Sequence, residues 1–229
     1  MNVDTTSLFL ALLAVVAEAA VIAALVLFLG SRWSTRIERW RRVAVEAIGP
    51  QALTLAFAVA AVATAGSLYF SEVAHFTPCR LCWYQRICMY PLVPILGLAA
   101  LRRDRAIRPY AAILAGLGAL IASYHVVLER FPALESDVCD PANPCTLIWV
   151  QRLGYLTIPT MALSGFALVL TLLAVGAPTP VPSGRRSAPT SVTDLEGEPC
   201  QPVPSPAIRS IAGSRNCGSP LLPSSSSPR

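Results

Sequence analysis

Long apolar runs, separated by short polar segments, recur along the first three quarters of the chain. Five of these runs are long enough for a helix to cross a bilayer, which takes about 20 residues. Apolar and polar residues do not alternate with the period of two that a membrane strand requires. We therefore predict an all-α polytopic membrane protein with spans at residues 8–30, 52–71, 82–101, 109–128 and 156–176.

The segment between the first two spans has a different pattern. Between Trp33 and Ile48, apolar residues recur at helical spacing and arginines occupy positions between them. This pattern is typical of a helix that lies on the membrane surface. A solvated linker is the alternative, which the tryptophans Trp33 and Trp40 disfavour.

From residue 177 onwards the composition changes to Pro, Ser and Gly. Such a segment cannot bury a core, and we expect it to be disordered. The chain is thus predicted to have four parts: an N-terminal transmembrane anchor (1–30), a cytoplasmic interfacial helix or linker (31–51), a four-helix core (52–176) and a disordered cytoplasmic tail (177–229).

The composition agrees with lipid as the main solvent of the chain. Hydrophobic residues make up 54% of the sequence and charged residues only 14%, whereas soluble domains contain about 25% charged residues. The net charge of +5 comes entirely from arginine, because the chain contains no lysine. The arginines lie in short loops rather than on one face, so nucleic-acid binding is not expected.

The arginines also predict the orientation of the chain. They cluster at residues 32–42, at residues 102–108 and at residues 185–186. Five spans place all three clusters on one side of the membrane, and arginine-rich loops stay in the cytoplasm. The amino terminus is therefore predicted outside and the carboxyl terminus inside. The first apolar run lacks the preceding positive charge of a signal peptide and reads as a retained anchor.

Four of the seven cysteines lie on the predicted outer side, where disulfides can form. They make two pairs: Cys79 with Cys82, and Cys139 with Cys145. The other three, one inside the third span and two in the tail, are expected to be reduced thiols without a role.

The first pair is a CxxC motif at the outer end of the third span. This spacing allows a strained, easily reduced disulfide, and the N–H groups at a helix start stabilise a thiolate. Arg86 lies four residues after Cys82, about one turn deeper on nearly the same face. We expect a Cys82 thiolate beside the Arg86 guanidinium. Snorkelling of Arg86 towards the headgroups is the alternative.

Two further intramembrane polar residues need partners. His125 lies 17 residues after Arg108, about 25 Å from the cytoplasmic face, at a depth similar to Cys82 and Arg86. We predict a shared site, with a hydrogen-bonded packing residue as the alternative. Glu18, near the middle of the first span, should face protein, but the sequence indicates no partner for it.

The second pair lies in the loop between the fourth and fifth spans. Two prolines and an asparagine separate Cys139 from Cys145, which favours a tight turn closed by a small disulfide. A structural disulfide is the alternative. With a CxxC motif on the same side of the membrane, relay by disulfide exchange is the better interpretation.

These motifs resemble those of a known family. Residues 78–86, PCRLCWYQR, resemble the PCxLCxxxR signature of the DsbB/BdbC family of disulfide-bond-forming membrane proteins. Residues 123–125 (SYH), the later cysteine pair and residues 154–160 (GYLTIPT) are similar to its BdbC-type branch. The resemblance covers roughly residues 52–176. It implies a DsbB-like four-helix bundle, to which this chain adds an N-terminal transmembrane helix.

The resemblance implies a thiol:quinone oxidoreductase of a bacterial plasma (inner) membrane. In this family a DsbA-like thioredoxin-fold partner outside the cytoplasm delivers electrons to the loop pair. By matching positions, Cys139 would form the mixed disulfide with the partner and Cys145 would exchange with Cys79.

The resemblance also implies a cofactor, either ubiquinone or menaquinone. Cys82 would face the quinone as a thiolate, while Arg86 and His125 would hold the quinone oxygens. Gln85 stands where some relatives carry Glu, which removes a possible proton acceptor.

Three other readings compete with this one. A protein similar to vitamin K epoxide reductase does equivalent chemistry, but there the loop pair precedes the CxxC motif. Haem attachment requires CxxCH, whereas Trp83 follows Cys82, and a zinc site would require four convergent ligands; no metal is predicted. A structural membrane protein with inert disulfides is the third reading.

Overall fold

The computed structural model describes residues 2–134, 139–140 and 142–176, and most of these are helical. The predicted tail, residues 177–229, lies outside the described residues. The long helices are α1 (Val3–Gly30), α2 (Thr35–Ile48), α3 (Ala52–Leu68), α4 (Arg80–Met89), α5 (Leu92–Arg102), α6 (Arg108–Arg130) and α7 (Ile158–Val175). A short antiparallel hairpin of β1 (Gln151–Arg152) and β2 (Leu156–Thr157) precedes α7.

Within the described residues, five helical segments are long and apolar enough to cross a membrane. The prediction of an all-α polytopic membrane protein is therefore confirmed. The first span begins at Val3 rather than at residue 8. In its polar first turn, Asp4 forms an ion pair with Arg152 of the hairpin.

Proline divides the third span into two helices. α4 ends at Met89 and α5 begins at Leu92, with Pro91 between them. Proline has no N–H to donate and its ring clashes with the carbonyl of the preceding turn, so a helix breaks there. The break leaves α4 as a separate ten-residue helix that carries the CxxC motif at its start.

The largest core cluster lies between α3, α5, α6 and α7, with contributions from α4. Phe166 of α7 is fully buried at the contact with α6. A Cβ atom built on Gly118 of α6 would lie 2.2 Å from the Phe166 ring. The two helices approach this closely because Gly118 has no side chain.

The helix α1 packs against α7 and the hairpin, and polar contacts accompany this packing. Glu18 accepts hydrogen bonds from the hydroxyls of Tyr155 (2.8 Å) and Ser164 (2.9 Å). Arg152 pairs with Asp4 in the first turn of α1. These contacts supply the partners for Glu18 that the sequence did not indicate.

The segment that follows α1 is helical, as its periodicity predicted. α2 runs through a 3₁₀ turn at Gly49–Gln51 directly into α3. Trp33 and Trp40 are 86% and 67% exposed, which suits residues at a membrane surface. The placement of α2 on that surface stays a prediction.

Candidate active site

The CxxC motif lies at the amino end of α4. Cys79 is the N-cap residue, and its sulfur accepts a hydrogen bond from the backbone N–H of Cys82 at 3.4 Å. The two sulfurs lie 3.1 Å apart, and both thiols are free. Cys79 is buried and Cys82 is partly exposed. The two thiols are thus close enough to close a disulfide with little movement.

The electrostatics of this helix start act on Cys79. The hydrogen bond from the Cys82 thiol, followed by that from His125, lowers the pKa of Cys79 to about 4, although burial opposes the shift. We expected the helix terminus to act on Cys82. The helix begins at Arg80, two residues before Cys82, so the capping position falls to Cys79.

His125 of α6 connects the two cysteine pairs. It is 2% exposed, and its Nε2 lies 3.8 Å from the sulfur of Cys79 and 2.9 Å from the carbonyl oxygen of Cys145. On its other side, Nδ1 lies 2.9 Å from the amide nitrogen of Gln85. Because an amide nitrogen only donates, Nδ1 accepts, and the neutral ring carries its proton on Nε2. That proton points towards Cys145 and Cys79.

The loop pair lies beside the CxxC motif. Cys139 and Cys145 form a disulfide with their Cα atoms 5.8 Å apart. Both are buried in one cluster with Cys79. The side-chain amide of Asn143, inside the loop, donates to the carbonyl oxygen of Pro78 at 3.1 Å. The loop is therefore tied to the residue that immediately precedes the CxxC motif.

On the other side of α4, Cys82 and Arg86 line a cavity of about 370 Å³. Arg86 donates from Nε to the hydroxyl of Ser67 and from its terminal nitrogen to the Ser67 carbonyl, both at 3.0 Å. Its guanidinium also lies 5.2 Å from the centre of the Trp83 ring. The rest of the wall is mostly apolar and comes from α1, α3 and α7.

The structure does not bring all the expected residues to one cavity. Cys82 and Arg86 meet at the large cavity, whereas His125 lines a separate cavity of about 30 Å³ together with Cys79 and Cys82. His125 and Arg86 thus lie at different cavities, each of which Cys82 lines. The prediction of a shared site rested on equal depth, which does not specify which face of α4 each residue meets. The roles of Arg86 and His125 at the quinone oxygens, which the resemblance implies, stay a prediction.

Sequence reasoning missed two polar residues of the site. Glu129 lines the small cavity, and its carboxylate accepts a hydrogen bond from Thr157 at 2.6 Å. Its position one helical turn after His125 is a signal that could have identified it. Ser67, which binds Arg86, gave no such signal, because 19 residues separate the two.

The two CxxC sulfurs and a ring nitrogen of His125 lie within 4.8 Å of one another. A structural zinc site takes four protein ligands, and this group, found among the described residues, has three. Disulfide exchange would also use both sulfurs. The absence of a metal stays a prediction.

Comparison with known proteins adds to this geometry. Residues 50–143 match the family described as disulfide bond formation protein DsbB. The chain is 40% identical to disulfide bond formation protein C of Bacillus subtilis (strain 168) over 124 residues, which are 54% of this chain and 90% of that protein.

Two other relatives give similar values. A probable disulfide formation protein C 1 of Bacillus anthracis is 43% identical over 52% of this chain and 86% of its own length. A probable disulfide formation protein of Oceanobacillus iheyensis is 38% identical over 52% of this chain and 84% of its own length. No solved structure matches the chain.

Proposed function

Because the chain belongs to the DsbB family of disulfide-forming oxidoreductases, we propose that its two cysteine pairs carry electrons from partner thiols to a membrane quinone. The family establishes a multi-pass membrane enzyme that forms disulfides. The route of the electrons, the residues along it, the quinone and the partner are the content of the proposal. The observation that carries it is the burial of the loop disulfide and Cys79 in one cluster, against which the partly exposed Cys82 packs.

The first half of the route transfers electrons from the partner. A partner thiolate attacks Cys139, the Cys139–Cys145 bond breaks, and Cys145 leaves as a thiolate. The second partner thiol then attacks the partner sulfur of this mixed disulfide and releases Cys139. The partner has lost two electrons and two protons and holds a new disulfide, and the loop pair is a dithiol.

The second half passes the electrons to the CxxC pair in its disulfide form. Cys145 attacks Cys79, the Cys79–Cys82 bond breaks, and Cys82 is released. Cys139 then attacks Cys145, which restores the loop disulfide and releases Cys79. The burial of Cys79, Cys139 and Cys145 in one cluster supports both exchanges.

The electrostatics of Cys79 favour this direction. A thiol with a low pKa is a good leaving group, and a stabilised thiolate makes the corresponding disulfide more oxidising. The pKa of Cys79, lowered to about 4 by hydrogen bonds from Cys82 and His125, therefore promotes both its release and electron flow towards the CxxC pair. Gln85 orients His125 for this purpose through Nδ1.

The large cavity suits a quinone of the ubiquinone or menaquinone type. Its walls are apolar, as a lipophilic ring requires, and its polar end carries Cys82 and a guanidinium that Ser67 holds in place. A bound quinone would supply a two-electron, two-proton acceptor. Arg86 would hold a ring oxygen and Cys82 would face the ring. The contacts of His125 support a role at Cys79 instead of at a quinone oxygen.

We place the enzyme in a bacterial plasma membrane, with the amino terminus and both cysteine pairs outside and the carboxyl terminus in the cytoplasm. The arginine clusters at residues 32–42 and 102–108 support this orientation. The partner is then a DsbA-like thioredoxin-fold thiol oxidase outside the cytoplasm. We propose the same four parts as the sequence predicted: the anchor (1–30), the interfacial helix or linker (31–51), the core (52–176) and the tail (177–229).

Cysteine substitutions in the purified protein test the route. Dithiothreitol serves as electron donor and a short-chain ubiquinone as acceptor, and the loss of quinone absorbance is followed. We expect Cys82→Ala to reduce quinone reduction to the background rate. Cys88→Ala is the matched control, because Cys88 is a free thiol of the same helix outside both cavities. Near-normal turnover in Cys82→Ala would contradict the proposal.

A further inference from the structure

The helix α1 precedes the residues that match the family, which begin at residue 50. It nevertheless contributes to the cavity at Cys82 and Arg86. We propose that α1 forms one wall of the quinone site and contacts the isoprenoid tail, so that it determines how strongly tailed quinones bind. This inference rests on the proposed function, since it concerns the same cavity.

The wall is one face of α1. Its members are Leu10, Leu13, Ala14 and Ala17, together with Val16 beside them. Positions separated by three and four residues lie on one side of a helix. Ala14 and Ala17 are buried, whereas the neighbouring Leu12 and Ala20 are exposed. Leu13 and Val16 are 39% and 65% exposed, so this face of α1 is buried at Ala14 and Ala17 and open at the two larger side chains.

The position of this wall is fixed by contacts at both ends. Close to the polar end of the cavity, a Cβ atom on Gly66 of α3 would lie 2.9 Å from Leu10, so α1 approaches α3 closely there. Next to Ala17, Glu18 binds the hydroxyls of Tyr155 and Ser164. A carboxylate within a span needs such partners, and here they hold α1 in register beside α7.

The length of the wall favours a tailed ligand. Leu10 packs on Gly66, which is adjacent to the Ser67 that binds Arg86. Ala17 lies seven residues further along α1, about 10 Å from Leu10 at the helical rise. A ring held at Arg86 would leave this part of the apolar surface uncovered. The isoprenoid tail is a continuous apolar chain that begins at the ring and would cover it.

The test measures binding rather than turnover. Quenching of intrinsic tryptophan fluorescence reports on the cavity, because Trp149 lines it. The purified full-length protein is titrated with a ubiquinone that carries two isoprene units and, separately, with the same ring without a tail. Leu13→Ala removes apolar contact from the wall. Leu12→Ala makes the same change at an exposed leucine of α1 that does not line the cavity.

We expect Leu13→Ala to weaken binding of the tailed quinone about fivefold to tenfold, in line with the loss of buried methylene groups. Binding of the tail-less ring should not change, and Leu12→Ala should alter neither. Leu10→Ala provides a second wall variant, and thermal unfolding of each variant shows that α1 remains packed. Equal weakening of both ligands, or no weakening of the tailed one, would overturn the wall assignment.

The outcomes separate this inference from the proposed function. If the tail-less ring binds and is reduced in a Cys82-dependent manner but Leu13→Ala has no effect on the tailed quinone, only the wall assignment fails. If the tail-less ring neither binds nor is reduced, the quinone site fails and the wall assignment fails with it. If a lipid acyl chain fills the cavity instead, Leu13→Ala changes the co-purifying phospholipid and leaves quinone affinity unchanged, which also overturns the inference.

Discussion

The reactivity of Cys79 depends on the hydrogen bonds that its sulfur accepts. The sulfur of Cys79 accepts a hydrogen bond from the backbone N–H of Cys82 and lies near Nε2 of His125. The side-chain amide of Gln85 donates to Nδ1 on the other side of that ring. Each donor stabilises a thiolate more than a thiol, because a charged acceptor makes the stronger hydrogen bond. With the thiol of Cys82, these donors hold the pKa of Cys79 well below its usual range, although burial opposes the shift.

This charge has a measurable pH dependence. With a pKa of about 4, reduced Cys79 stays a thiolate from about pH 8 down to about pH 5, so its alkylation by iodoacetamide should keep a nearly constant rate. An ordinary cysteine, with a pKa of about 8.5, would slow about tenfold for each pH unit below that value. Mass spectrometry of the peptide that contains Cys79, after labelling for fixed times, gives the rate.

Two controls accompany this measurement. The Cys82→Ala variant lacks the hydrogen bond that contributes most to the low pKa of Cys79, so its labelling rate should fall as the pH falls. Denatured protein should show the ordinary dependence. A tenfold loss per pH unit in the native protein would contradict the thiolate at Cys79.

At the scale of elements, the site depends on how α6 packs. This helix carries His125 and Glu129 to the CxxC motif, and it meets α7 where Gly118 faces Phe166. His125 lies seven residues after Gly118, about two turns along the same helix. A change that moves α6 away from α7 would therefore also move His125 relative to Cys79.

Two glycines of α6 provide a matched comparison. Gly118→Ala places a Cβ atom 2.2 Å from Phe166, and such overpacking should lower the free energy of unfolding by about 1–3 kcal/mol. Gly116→Ala meets no atom within 4 Å and should be neutral or stabilise the helix by up to about 1 kcal/mol. Thermal unfolding in detergent measures both. If both substitutions changed the free energy of unfolding equally, the contact between Gly118 and Phe166 would not limit how closely α6 approaches α7.

At the scale of the whole molecule, the number of spans decides which segments share a side of the membrane. In the proposed topology with five spans, both cysteine pairs lie on one side and the arginine-rich segments at residues 32–42 and 102–108 lie on the other. The helix α1 adds one span before the four-helix core, so that two spans precede the CxxC motif. In this topology α1 would place the amino terminus outside, and the arginine-rich segments would set the orientation of the core.

Labelling of introduced cysteines checks this orientation. In intact cells, a membrane-impermeant maleimide should label Ala133→Cys, which lies at an exposed position between the fourth and fifth spans. Thr35→Cys, exposed between the first two spans, should be labelled only after permeabilisation. The parent protein provides the background from native thiols. Labelling of Thr35→Cys in intact cells would reverse the proposed topology.

The sequence alone determined the features that depend on local pattern. Apolar length predicted the five spans, and four-residue spacing placed Cys82 and Arg86 together, as they are at the large cavity. The orientation that the arginines indicate stays a prediction. The start of α4 was misjudged by two residues, which transferred the capping position to Cys79. Such boundaries depend on weak competition between turn and helix, which composition does not settle.

Only the tertiary structure decided which faces meet. The contacts of His125 with Gln85 and Cys79 span 40 and 46 residues of sequence, and those of Glu18 with Tyr155 and Ser164 span 137 and 146. Hydrophobic periodicity shows that a helix is buried but not against which neighbour, because in lipid every side of a span is apolar. The separate cavities of Arg86 and His125, and the wall that α1 provides, follow from packing that no local pattern encodes.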